Sequence, residues 1–174
     1  MKYIMKRSIL ALIIIFAVVS CKQGPDRWTN QSPEIDVVKA LVNDYEAGNW
    51  EAWKGHYADT AKIYHNSTES NNVGETLEGL RSYLETVTEY GFSDKDIYYE
   101  MIIDDKNEKW VNFWGTWEGT IGALDRDITI PIHLTARFVD GKIVEEHGFY
   151  NMAEYVLAMG EIERQAEAET EAEE

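Results

Sequence analysis

Four histidines, at positions 56, 65, 133 and 147, are the side chains of this 174-residue chain best suited to exchanging protons near neutral pH. An unperturbed imidazole titrates at about 6.5, so it can accept a proton and return it. Their spacing lacks the pattern of a metal site, and the single cysteine, Cys21, can form neither a cysteine cluster nor an internal disulfide. No metal and no cofactor is expected. A phosphate-gripping Walker loop, a GxGxxG turn, an HExxH helix and a paired CxxC are all absent from the sequence. Sixteen basic residues against 32 acidic ones give a net charge of −16, which repels phosphate backbones and argues against nucleic acid as a partner.

The elements that must position these groups begin after an expected leader. Lys2, Lys6 and Arg7 precede an uncharged apolar run, Ile9 to Val19, that is short for a spanning helix and suits a signal peptide. It ends at Val18-Val19-Ser20-Cys21, which resembles the bacterial lipobox. The resemblance implies cleavage of residues 1–20, lipid attachment at Cys21 and anchoring to a membrane of the cell envelope, with −19 as the mature charge once the three leader cations are gone. Residues 21–32 read as a lipidated tether, 33–160 as one domain, and 161–174 as a solvated, frayed acidic tail.

Within the domain, Ser32-Pro33-Glu34 reads as a helix start, and Val37, Val38, Leu41, Val42 and Tyr45 share one helical face up to Gly48-Asn49. A short helix is expected over 50–57, a strand over 61–66, and a third helix over 76–90 with Gly91 as its stop. From Ser93 the period becomes two, predicting strands near 95–104, 109–121, 127–139 and 142–150, the last two joined by an Asp140-Gly141 turn. A final helix is expected over 152–159, ending at Gly160. This pattern predicts an α+β fold: a curved antiparallel sheet wrapped against about three N-terminal helices, leaving a conical cavity.

Two stretches carry a family resemblance. Glu46-Ala47-Gly48-Asn49-Trp50-Glu51-Ala52-Trp53 followed by Tyr57-Ala58-Asp59-Thr60-Ala61 is one, and Arg137-Phe138-Val139-Asp140-Gly141-Lys142-Ile143-Val144-Glu145 is the other. Both resemble segments of nuclear transport factor 2-like (SnoaL-like) proteins, whose cone fold hosts isomerases, cyclases, dehydratases and plain binding proteins. The resemblance implies that His65 occupies the position of the ketosteroid isomerase base. It puts Leu41 and Leu134 where that isomerase carries its oxyanion donors, and Asn151 where the cyclases carry an acid. Asn151 can therefore only orient an oxygen or a water.

On the family register Leu134, Ala136, Phe138, Glu146, Gly148 and Tyr150 face the cone, while His133, Thr135, Arg137, His147 and Phe149 face outward, where many relatives dimerise. Glu146 is either a functional carboxylate or the sign of a bulge. Trp53, Tyr57 and Tyr150, with Trp114 or Trp117, are expected to line the cavity, as core or as ligand contacts. Three functions remain open. The first is a membrane-anchored protein binding a small apolar or aromatic ligand, with Leu134 and Asn151 among its contacts. The second is a proton-shuttling enzyme with His65 as base and Glu146 or Tyr57 as its partner. The third is a homodimerising interaction domain that uses the outer face.

Overall fold

A computed structural model describes residues 26–173 of the chain. The expected leader, Cys21 and the first part of the tether lie outside the described residues. A two-residue strand, β1 (Trp28–Thr29), precedes helix α1 (Pro33–Glu46). Ser32 caps α1 by accepting from the Ile35 amide, and Pro33 opens its first turn, as the sequence predicts. The short α2 (Trp50–Gly55) leads into β2 (Tyr57–His65), which begins four residues earlier than expected.

Helix α3 (Val73–Leu84) starts with a reciprocal cap between Asn72 and Glu75 and is shorter than predicted. Residues 87–90 were expected to extend it, but Val87–Phe92 forms strand β3 against β5. The β-branched run Thr86-Val87-Thr88 favours extended backbone, and pairing with residues 117–121 decides the outcome. Strands β4 (Tyr98–Ile103), β5 (Lys109–Ile121), β6 (Arg126–Val139) and β7 (Lys142–Tyr150) form the expected meander. Asp140 and Gly141 both have positive φ, 50° and 77°, which is the geometry of a type I′ hairpin turn. The last helix, α4 (Ala153–Glu173), continues through Gly160 instead of stopping there.

The sheet runs β1-β4-β5-β6-β7-β2, with β3 added beside β5. It is not wholly antiparallel: β2 returns to the far edge and pairs with β7 in parallel. The family of curved α+β cones is nonetheless the one predicted, here with a mixed sheet and four helices. One core cluster lies under α1 (Ile35, Val38, Leu41, Val111, Phe113, Ile143), the other under α4 (Trp117, Ile121, Ile128, Ile130, Tyr155, Ala158). Burial alternates strictly along β5, with Val111, Phe113, Gly115, Trp117, Gly119 and Ile121 inward. Gly115 and Gly119 leave room for their neighbours' rings: a Cβ would meet Phe113 at 2.5 Å in the first case and Trp117 at 2.3 Å in the second.

Candidate active site

The inner face of the cone owes its chemistry to a bulge. Across the β6–β7 hairpin, Phe138 pairs with Ile143 but Arg137 pairs with Glu145, so Val144 is the extra residue. An unbroken alternation from the fully buried Ile143 would point Glu145 inward. The extra residue reverses the parity and turns Glu146, Gly148 and Tyr150 toward the cavity. Glu146 therefore faces the cone, as the family register implies, and the bulge is what places it there.

Glu146 is 2% exposed and both its oxygens are engaged. Oε2 accepts from the Tyr57 hydroxyl at 2.9 Å, and Oε1 lies 2.9 Å from His65 Nε2. Burial, with the Glu146 charge beside it, pushes the Tyr57 phenol well above its ordinary value, so Tyr57 stays protonated and donates. His65 ends β2, directly opposite Gly148 in the parallel pair. A Cβ at position 148 would sit 2.6 Å from His65 Cδ2, so only glycine lets the imidazole lie flat over β7. Asn66, the next residue, has φ 48° and bonds the Tyr150 backbone twice, at 2.7 and 3.1 Å, pinning the end of β2 to β7. With Nε2 turned to Glu146, Nδ1 is the remaining ring nitrogen. His133 Nε2 is the one buried side-chain polar atom without a partner among the described residues, so His65 Nδ1, which has no protein partner either, retains contact with solvent.

The cavity in front of this chain of hydrogen bonds is about 120 Å³, close to the cavity of about 150 Å³ known to take a benzene-sized guest. Its wall is apolar except for His65, Glu146 and several tyrosines. Tyr45 accepts from Trp117 Nε1 at 3.0 Å, and its own proton has no acceptor among the described residues. Burial, with Tyr83 and Glu146 nearby, pushes Tyr150 up to about 12, so it too is a neutral donor. Of the residues expected at the cavity, Trp53, Tyr57, His65, Trp117, Leu134, Glu146 and Tyr150 line it.

Two do not. Trp114 lies on the outer face, 38% exposed and stacked on His133, because β5 alternation turns it opposite to Phe113 and Trp117. Asn151 is exposed beyond the end of β7, where its Oδ1 caps α4 by accepting from the Ala153 amide. The other histidines are dispersed: His56 bonds Asp44, His147 bonds Glu145, and His133 faces outward as predicted. The sequence places Tyr45 on the apolar face of α1, Gly148 on the cone side of β7 and Asn66 at the end of a strand, but assigns none of the three a part in the site.

The model of the SnoaL-like domain family matches residues 38–146. The chain belongs to this family. Solved structures carry the same fold at low identity. A candidate polyketide cyclase from Xanthomonas campestris pv. campestris superimposes with a TM-score of 0.59 at 15% identity, covering 74% of this chain and 98% of that one. A candidate hydroxylase, AclR from Streptomyces galilaeus, gives 0.60 at 16% over 74% and 96%. An NTF2-like protein from Burkholderia pseudomallei gives 0.57 at 15% over 72% and 96%. A comparison with curated proteins gives no sequence match. In this SnoaL-like domain Leu41 and Leu134 both line the cavity, so it is apolar at the two positions to which the resemblance drew attention.

Proposed function

We propose that this SnoaL-like domain binds a small, largely apolar molecule bearing an acceptor oxygen and moves a proton on it, with His65 as base. The observation that carries this is the buried Glu146 carboxylate with one oxygen committed to His65 Nε2. Burying a carboxylate costs several kcal/mol unless it is well paired, and a merely apolar pocket is more stable with an apolar residue there. A carboxylate behind an imidazole fixes its tautomer and stabilises the imidazolium. With Nε2–H donating a hydrogen bond to Glu146 and keeping its proton, Nδ1 keeps its lone pair. It takes a proton from the ligand and returns it elsewhere on the same molecule, or to a leaving group. Tyr57 holds the second carboxylate oxygen, and the neutral phenols of Tyr45 and Tyr150 suit the oxygen on which charge develops.

The test is solvent exchange. Single-ring ketones and enones incubated in D2O with the wild-type protein should take up deuterium at carbon, followed by NMR. His65→Gln should slow that uptake by about 100-fold or more while leaving binding intact. Ligands that bind the wild-type protein without any exchange refute catalysis and leave the second reading, a binding protein without chemistry, which the apolar Leu41 and Leu134 favour. For location, we infer lipid anchoring through Cys21 from the basic, apolar and Val18-Val19-Ser20-Cys21 segments. Cys21→Ser should release the protein from the membrane fraction. Unchanged sedimentation with membranes would contradict it.

A further inference from the structure

The chain enters the domain at a pinned point. The Arg27 carbonyl accepts from the Ile103 amide at 2.8 Å, its Nε donates to the Ile103 carbonyl at 2.7 Å, and its Nη1 pairs with Asp105 at 2.7 Å. From Cys21 to Arg27 is six peptide steps, a reach of about 21 Å when fully extended. A compact domain of this size has a radius of gyration of about 15 Å and is about 40 Å across. A lipid on Cys21 therefore keeps β1 close to the bilayer and the opposite side of the domain away from it.

Two surfaces flank β1. On the helix side, α1 exposes Asp36, Lys39, Asn43 and Glu46, which offer nothing to a lipid interior. On the sheet side, Trp28 opposes Ile102 and opens a row that runs through Trp110 to Arg137 and Glu145. Directly opposed residues on neighbouring strands project to the same side, so Trp28 belongs to the outer face, where its Nε1 donates to Glu100 at 2.7 Å. A second row on that face holds Tyr98, Trp114, His133 and Phe149. Trp28, Tyr98 and Phe149 are more than half exposed. Indole and phenol rings join an apolar body to a polar edge, which suits them to the headgroup level of a bilayer. The charges of this face also cancel, Glu100 and Glu145 against Arg137 and Lys62, on a chain that carries −16 overall. Anionic headgroups repel the acidic remainder, so this face approaches them at the least cost.

We propose that the outer sheet face lies on the lipid surface to which Cys21 is anchored, with Trp28, Tyr98, Trp114 and Phe149 at headgroup level. This rests on the lipid-anchoring reading of Cys21. The test uses the full chain, processed and lipidated in a bacterial host and reconstituted into vesicles of phosphatidylethanolamine and phosphatidylglycerol. A photo-crosslinking side chain at position 98 should form adducts with lipid, read by mass spectrometry. The same probe at position 157 should form none, although Leu157 is as exposed, because α4 packs on the other face of the sheet. Phe149→Glu should lower the yield at position 98 about fivefold through repulsion by the anionic headgroups, without changing the circular dichroism spectrum. Leu157→Glu should leave that yield unchanged. Mass spectrometry of the Cys21 peptide separates the two ways of failing. A lipidated Cys21 with no lipid adducts at position 98, equal adducts at 98 and 157, or adducts made only to a second copy would overturn the face assignment alone. An unlipidated Cys21 would overturn the anchoring reading and this proposal with it.

Discussion

Gly148→Ala isolates the packing that holds the imidazole. The added Cβ would stand 2.6 Å from His65 Cδ2, 3.1 Å from His65 Nε2 and 3.1 Å from Leu134 Cδ2. Restoring ordinary contact at 3.4 Å moves the ring by about 0.8 Å, the difference between 3.4 and 2.6 Å. A shift of that size along the 2.9 Å bond to Glu146 takes it beyond hydrogen-bond range and leaves a buried carboxylate with one donor. Overpacking of this kind costs about 1–3 kcal/mol, or about 4–12 °C in Tm at about 4 °C per kcal/mol. The decisive assay is a double-mutant cycle by thermal denaturation, because when His65 is also alanine the same Cβ keeps only the 3.1 Å contact with Leu134 Cδ2, the movable end of a side chain. There the substitution should be neutral or mildly stabilising, since glycine in a strand costs about 0.5–1 kcal/mol relative to alanine. Equal destabilisation in both backgrounds would refute the claim that Gly148 acts through His65.

Two further outcomes follow from local electrostatics and capping. The hydrogen bond from His147, then Arg137, holds the Glu145 carboxyl below its ordinary range, so its folded-state value is depressed. Its stabilisation should be full above the ordinary carboxylate range and fade as pH falls through the depressed value. The Tm difference between wild type and Glu145→Gln should therefore shrink between about pH 6 and pH 3, and a constant difference would count against the pairing. Asn72→Ala removes half of the reciprocal cap on α3 and should cost about 1 kcal/mol, measured by urea unfolding, with Glu75→Gln costing less because the glutamine amide oxygen still accepts from the Asn72 amide.

Much of the fold was legible because its signals are local. Ser32-Pro33, the long alternation of 109–121 and the Asp140-Gly141 turn each act within a few residues, and each appears where predicted. Errors arose where a distant partner decides. Leu84, Val87 and Tyr90 satisfy helical spacing, yet β5 recruits 87–92 as a strand. Gly160 reads as a stop, yet α4 continues, with Ile162 packed below it and Glu161 bonded to Arg126. The site was legible in its members more than in its linkage. His65, Tyr57 and Glu146 were all nominated, but the Val144 bulge that turns Glu146 inward has no signature of its own in the sequence. Trp114 was placed wrongly because two tryptophans three positions apart cannot share a strand face, and Gly115 and Gly119, which make room for the inward rings of Phe113 and Trp117, show which of the two is inside.

The parallel pairing of β2 with β7 has a consequence for biosynthesis. His65 and Glu146 are 81 positions apart, and β7 is the last strand to be made. While the chain emerges from the ribosome, β2 has no neighbour along that edge, and the imidazole and the Tyr57 phenol have no carboxylate to meet. Contacts of such long sequence separation form late, after the loop between them has been closed. A chain interrupted between residues 65 and 146 carries His65 and Tyr57 but lacks the carboxylate that pairs with them. The chemistry proposed for this cone thus switches on only in molecules whose synthesis has passed β7.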